Sequence, residues 1–183
     1  MPVSEAGKKR IERNAQLSDE QAFVEAREYA LRLLDMRAYS SGVIAQKLAL
    51  RGYQKHICEQ VVSRLIAAKI LDDNEYAQML VRSLHESRGL SRRALRTELV
   101  KKKLSAQAIT AALEQLDQTD EQNAARAVAL KKARATMGLP YEVRLRRMVS
   151  QLARKGYGGA TAFASAKWAL SEVGEDCDAG EWD

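Results

Sequence analysis

The chain has 183 residues, 30 Lys and Arg against 24 Asp and Glu, two Pro, ten Gly and 5% aromatics. That is enough for a folded core or for several small helical units, and the abundance of Ala, Leu, Arg, Lys, Glu and Gln points to an all-α protein. Cys58 and Cys177 are too few for a disulfide framework or a zinc site. No apolar run reaches a membrane-spanning length of about eighteen residues, and the N-terminus has no signal-peptide stretch, so a soluble cytoplasmic protein is expected.

Residues 1–17 lack periodicity and are expected to form a flexible N-terminal arm. Ser18 with Gln21 makes a capping-box signal, and Ala22, Phe23, Ala26, Tyr29, Ala30, Leu33 and Leu34 trace one helical stripe. Ser40 or Ser41 opens a short second helix with Val43, Ile44 and Leu48 inward, ending at Arg51-Gly52-Tyr53. A third helix carries Ile57, Cys58, Val61, Val62, Leu65 and Ile66 towards Leu71. Asp72, with Glu75 three residues on, starts the next helix, whose inward residues are Tyr76, Ala77, Leu80, Val81 and Leu84. After the Arg88-Gly89-Leu90 break, Ser91 caps a helix that turns Ala94, Leu95 and Leu99 inward and carries most of its cations outward.

The plan recurs. Leu48 to Tyr53 aligns with Leu99 to Leu104 and with Leu152 to Tyr157, each the end of a middle helix. Gly52 and Gly156 fall where such a helix terminates in a left-handed residue, with Tyr53 and Tyr157 folding back on Leu48 and Leu152. Lys103 occupies the equivalent position. The expected fold is therefore three tandem three-helix repeats, 18–71, 72–119 and 120–171, in an elongated, curved arrangement followed by an acidic disordered tail, 172–183.

Charge is unevenly placed. Residues 88–103 hold seven basic residues against Glu98, and 126–155 hold nine against Glu142, while 172–183 hold six acids and no base. A charge run is ordinarily a solvated helix face. Two runs this one-sided favour a polyanionic partner, and the candidate binding face comprises Arg88, Arg92, Arg93, Arg96, Lys101, Lys102, Arg144, Arg146, Arg147, Arg154 and Lys155. Asn and Gln suited to reading bases are sparse there, so backbone contact with single- or double-stranded DNA is the expected mode.

Signals for catalysis are weak. No phosphate-binding Gly-rich loop or paired Cys motif occurs. His56 lies beside Cys58, but neighbours on a helix point apart, so a surface His and a core Cys are the simpler reading. Asp72, Asp73 and Glu75 could hold a nuclease metal, yet capping the following helix explains them more economically. No catalytic residue, metal or cofactor is expected.

These residues together resemble the RecX family, regulators of the RecA recombinase. The likeness runs from about Ala26 to Ala169 and is most specific at Ile70-Leu71-Asp72-Asp73, Tyr76-Ala77, Val81-Arg82-Ser83, Arg88-Gly89, Leu95-Arg96 and Glu98-Leu99. The first repeat adds Ala30-Leu31, Leu33-Leu34, Arg37, Lys47-Leu48 and Arg51-Gly52-Tyr53. Lys69 and Lys103 stand where the family usually has Gly, and Gly42 where it usually has an acid. The resemblance implies a non-enzymatic monomer that binds the RecA filament and mainly inhibits its recombinase, ATPase and SOS coprotease activities. Rival classes are a free-standing helix-turn-helix-like DNA-binding protein and a helical adaptor for another acidic protein.

Overall fold

A computed structural model describes residues 4–174. Among them are ten helices and no strand: α1 (Glu5–Ala15), α2 (Asp19–Met36), α3 (Ser41–Ala49), α4 (Lys55–Ala67), α5 (Asp73–Arg88), α6 (Arg92–Lys101), α7 (Ala106–Leu113), α8 (Gln118–Ala135), α9 (Tyr141–Arg154) and α10 (Gly159–Glu172). The all-α class holds, with α2–α4, α5–α7 and α8–α10 as successive three-helix repeats.

One expectation is corrected at the N-terminus. Residues 5–15 form α1 in place of the expected flexible arm. Ser4 Oγ caps it by accepting from the Gly7 N–H, and its attachment is largely polar, which an apolar-periodicity reading cannot detect. Asn14 is 3% exposed and donates through Nδ2 to the Arg51 carbonyl at 2.9 Å, while Arg13 pairs with Glu25. Residues 175–183, most of the expected acidic tail, lie outside the described residues.

The starts of the helices follow their side chains. Ser18, Ser40, Asp72, Ser91 and Ser105 each accept an N–H from the first turn of the helix they precede, satisfying donors that have no partner within the helix. Asp117 and Asp120 add a reciprocal capping box on α8. Middle helices end as their spacing predicts: Gly52 and Gly156 have φ of +92° and +90°, and the Tyr53 and Tyr157 N–H groups return to the Leu48 and Leu152 carbonyls. Lys103 and Lys69 adopt the same left-handed region, at φ 56° and 54°.

The chain divides into two compact units. One takes residues up to Ala77 together with Leu99–Ile109; the other takes Gln78–Glu98 together with the chain from Thr110 onward. The first unit's core is built from Ala22, Ala26 and Ala30 on α2, Ile44 and Leu48 on α3, and Ile57, Val61 and Leu65 on α4. In the second, alanines 125, 129 and 133 of α8 and 162, 166 and 169 of α10 let those helices approach closely, over Met148 and Leu152 of α9.

A joint of one kind occurs in both units. Within the first, the Ser40 hydroxyl at the start of α3 donates to the Lys102 carbonyl at the end of α6, and a Cβ on Gly42 would lie 2.5 Å from the Lys103 oxygen. Within the second, the Ser91 N–H at the start of α6 donates to the Lys155 carbonyl at the end of α9, 3.0 Å away, and a Cβ on Gly156 would meet Ser91 Oγ at 2.5 Å. Lys102 and Lys155 are equivalent repeat positions. The third equivalent, Arg51, has its carbonyl filled by Asn14, and Gly52 is packed against Ile11 of α1. Helix α1 thus takes the place that a preceding repeat would occupy.

Candidate functional site

The candidate basic residues are divided between the two units. Arg92, Arg93 and Arg96 are exposed on the first turns of α6, in the second unit. Arg92 also holds the fold together: its guanidinium donates to the Leu116 carbonyl at 2.9 Å, and its N–H to Glu121 Oε1 at 3.1 Å. Lys101 and Lys102 belong to the first unit, where the Lys102 carbonyl serves the joint with Ser40. Arg88 ends α5, and its carbonyl accepts from the Lys155 ammonium.

The densest concentration lies between α8 and α9. Lys132, Arg146, Arg147, Ser150 and Arg154 line an open groove of about 390 Å³, with no carboxylate on its walls among the described residues. Residues 146, 150 and 154 follow a four-residue period, and 147, 150 and 154 complete it at three and four, so α9 presents one cationic edge by helix geometry alone. Four positive charges at this spacing, with no ion pair among the described residues, raise the local potential and favour a polyanion whose charges repeat. Lys132 belongs to the basic run without standing among the sequence candidates, because its place opposite α9 depends on how two helices pack.

Arg144 is the exception and a correction. It is fully buried and donates through Nη2 to the Ala133 carbonyl at 2.9 Å, at the end of α8. On the helical wheel it lies between Met148, about 40° to one side, and Arg147, about 60° to the other, at the border where the buried face of α9 meets its cationic edge. It joins the Thr136 N–H and hydroxyl on that helix-end carbonyl, where a cation also complements the helix dipole.

The remaining sequence candidates have structural duties. Asp72 Oδ1 accepts from the Asn74 and Glu75 N–H groups at 2.9 and 3.0 Å. Asp73 accepts from Ser41 N and Oγ at 2.8 and 2.6 Å, so it caps α3 rather than its own helix. The side chain of His56 is 52% exposed and pairs with Asp19 at 3.0 Å. Cys58 is buried, and that burial pushes its thiol pKa upward, away from nucleophile behaviour.

Comparison with known proteins gives this arrangement a family. The model of the RecX first three-helix domain matches residues 26–65, and that of the RecX second three-helix domain matches residues 72–113. The regulatory protein RecX of Streptomyces coelicolor is 40% identical over 154 residues, covering 84% of this chain and 82% of that one. That of Corynebacterium efficiens is 39% identical over 162 residues, covering 86% and 77%. The crystal structure of RecX from Lactobacillus salivarius matches with a TM-score of 0.70 at 16% identity, over 80% of this chain and 96% of that one. A second RecX crystal structure matches at 0.68 and 22% identity, over 76% and 70%; both likenesses establish the fold. Identity at this level over most of both chains, joined to the order of three-helix repeats, means that the chain belongs to the RecX family of regulatory proteins.

Proposed function

We propose that this protein binds the RecA nucleoprotein filament and restrains its ATPase, strand-exchange and SOS coprotease activities by occupancy, without making or breaking a bond. Within that reading the basic surfaces meet DNA phosphates or acidic protein surface. The observation that carries the DNA part is the α8–α9 groove, whose four cations meet no carboxylate on its walls among the described residues. Engaging about four phosphates there gives a log–log salt slope of roughly −3 to −4. Alone, such binding is weak at cellular salt, and attachment to a protein polymer that displays DNA alongside raises the effective concentration of both contacts.

The test is ATP hydrolysis by a RecA filament on single-stranded DNA with this protein added substoichiometrically. Inhibition is expected in the wild type. It should weaken when Arg146, Arg147 and Arg154 are changed to Glu, or when Arg92, Arg93 and Arg96 are, in variants whose helical signal is unchanged. Undiminished hydrolysis with the wild type would refute the filament reading. Tight, sequence-selective duplex binding without recombinase would instead favour a free-standing DNA-binding factor.

A further inference from the structure

A second concavity lies in the same unit, and its lining differs in kind from the groove. It measures about 570 Å³ and is walled by the end of α5, by α8 and by α9. Ala124, Ala127 and Val128 give it an apolar floor, and Asn123, Gln151 and Ser87 contribute polar groups. Arg88, Lys131 and Lys155 supply three cations, and no carboxylate forms an ion pair with them among the described residues. Two acids also reach it: Asp120 is engaged by the Asp117 N–H at 3.0 Å, and exposed Glu86 also lines an adjoining hollow with Arg82.

Like charges crowd one another here. Lys155 is partly buried, and burial, then Lys131, then Arg88 all lower its pKa, so a bound anion would relieve a repulsion already present. The cavity is also contiguous in sequence with the groove: Lys131 lines one and Lys132 the other, as do Gln151 and Ser150, and Lys155 and Arg154. Successive residues on a helix point about 100° apart, so the two concavities open on different faces of α8 and α9, and a strand must bend sharply to enter both, which a single strand can do and a stiff duplex cannot.

An apolar floor, amide groups able to pair with a base edge, and a cation cluster are together the composition of a site for a nucleoside phosphate. A paired and stacked base cannot enter such a cavity without being extruded, at a cost of a few kcal/mol. We propose that the α5–α8–α9 cavity takes one unstacked nucleotide of a single strand whose neighbouring phosphates lie in the α8–α9 groove, and so makes this protein prefer single-stranded over duplex nucleic acid. This rests on the DNA-contact reading above and adds the ligand unit and its strandedness.

The experiment compares binding of fluorescent polydeoxyadenosine and of a duplex hairpin to the full chain and to the double variant Ala124→Leu, Ala127→Leu. That variant fills the cavity, keeps every cation and suits a helix. Single-strand affinity should fall about tenfold, equivalent to about 1.4 kcal/mol, with duplex affinity changed less than about twofold. Lys131→Gln, an exposed substitution, is the second variant should the first fail to fold; it too should weaken the single strand more than the duplex. Deoxyadenosine monophosphate alone is expected to show no saturable binding, since it lacks the groove phosphates. Equal losses on both nucleic acids, no loss on either, or saturable mononucleotide binding removed by the filling variant while the strand is unaffected would overturn the proposal. A wild type that binds neither nucleic acid would defeat the DNA-contact reading itself, whereas wild-type binding with no strand-selective loss defeats only this one.

Discussion

Replacing Lys103 by Gly should make the protein more stable, which is unusual for a substitution that removes a whole side chain. Lys103 sits at φ 56°, where a Cβ crowds the following carbonyl at a cost of roughly 1–2 kcal/mol. Glycine removes that strain but gains about 0.4–1 kcal/mol of freedom in the unfolded chain, leaving a net gain of up to about 1 kcal/mol. For a chain of this size that is a rise of about 2–4 °C in Tm, readable by circular dichroism and checked by a parallel increase in the urea midpoint at unchanged slope. Lys69, at φ 54°, provides a second instance, and Lys69→Gly should behave alike. The neighbour of Lys103 adds a finer test. A Cβ on Gly42 would stand 2.8 Å from the Lys103 Cβ and 2.5 Å from its oxygen. The two departures from the usual RecX pattern, Gly for an acid at 42 and Lys for Gly at 103, thus lie against each other. Gly42→Asp should be strongly destabilising in the wild type and less so with Lys103→Gly, a coupling visible in a double-mutant cycle. Unchanged or lowered Tm in both Lys→Gly variants would refute the strain argument, and strict additivity with Gly42→Asp would refute the coupling.

Further consequences follow from the caps and buried groups. Asp72→Ala removes the acceptor for two first-turn N–H groups and should lower stability by about 1 kcal/mol in urea unfolding, with no dependence on added metal. Tyr157 is held by burial at a pKa of about 12, its hydroxyl donating to the Gly89 carbonyl at 3.0 Å. Its folded pKa lies above the unfolded value near 10, so its contribution is complete below about pH 10 and is lost as pH rises towards 12. At neutral pH Tyr157→Phe should cost about 1 kcal/mol for the lost hydrogen bond, and the gap between variant and wild type should shrink, then reverse, as stability is followed into that alkaline window. Arg144→Ala should cost about 3 kcal/mol or more, because a large, fully buried side chain is lost together with one of the donors to the Ala133 carbonyl. Arg146→Ala, on the exposed edge of the same helix, should leave stability within about 0.5 kcal/mol and reduce the salt slope of DNA binding by about one.

Much of the fold is legible because its signals are local. The serines at 18, 40 and 91 and Asp72 cap the helices they precede, and the positive φ at 52, 103 and 156 follows from aligning the ends of three middle helices. The candidate binding face is less legible. Charge counting treats 126–155 as one basic run, yet helix geometry divides it: Arg144 points into the core, Arg146, Arg147 and Arg154 line the groove, and Lys155 turns to the Arg88 carbonyl. A helical wheel gathers Arg146, Arg147 and Arg154 on one arc of about 100° but leaves Arg144 at its border, so packing decides that Arg144 is buried. Lys132 and Lys131 enter their concavities through packing of α8 on α9 and α5, which residues distant in sequence decide.

The joints explain both what the sequence hides and why α1 is present. Three equivalent carbonyls, of Arg51, Lys102 and Lys155, each receive a donor from an element earlier in the chain, but the donors are an amide side chain, a hydroxyl and a backbone N–H. Ser40 and Ser91 are equivalent positions, offset as Leu48 and Leu99 are, and differ only in which group donates, whereas Asn14 has no counterpart in the repeat; what all three meet is a geometric demand at the end of a middle helix, where a carbonyl has lost its intrahelical partner. A tandem array leaves that demand unmet at one terminus, and repeat proteins meet it with a dissimilar capping element. Helix α1 does so with one buried asparagine and an exposed ion pair. That polarity accounts for its invisibility to apolar periodicity, and it identifies α1 as part of the folded first unit rather than as an appendage to it.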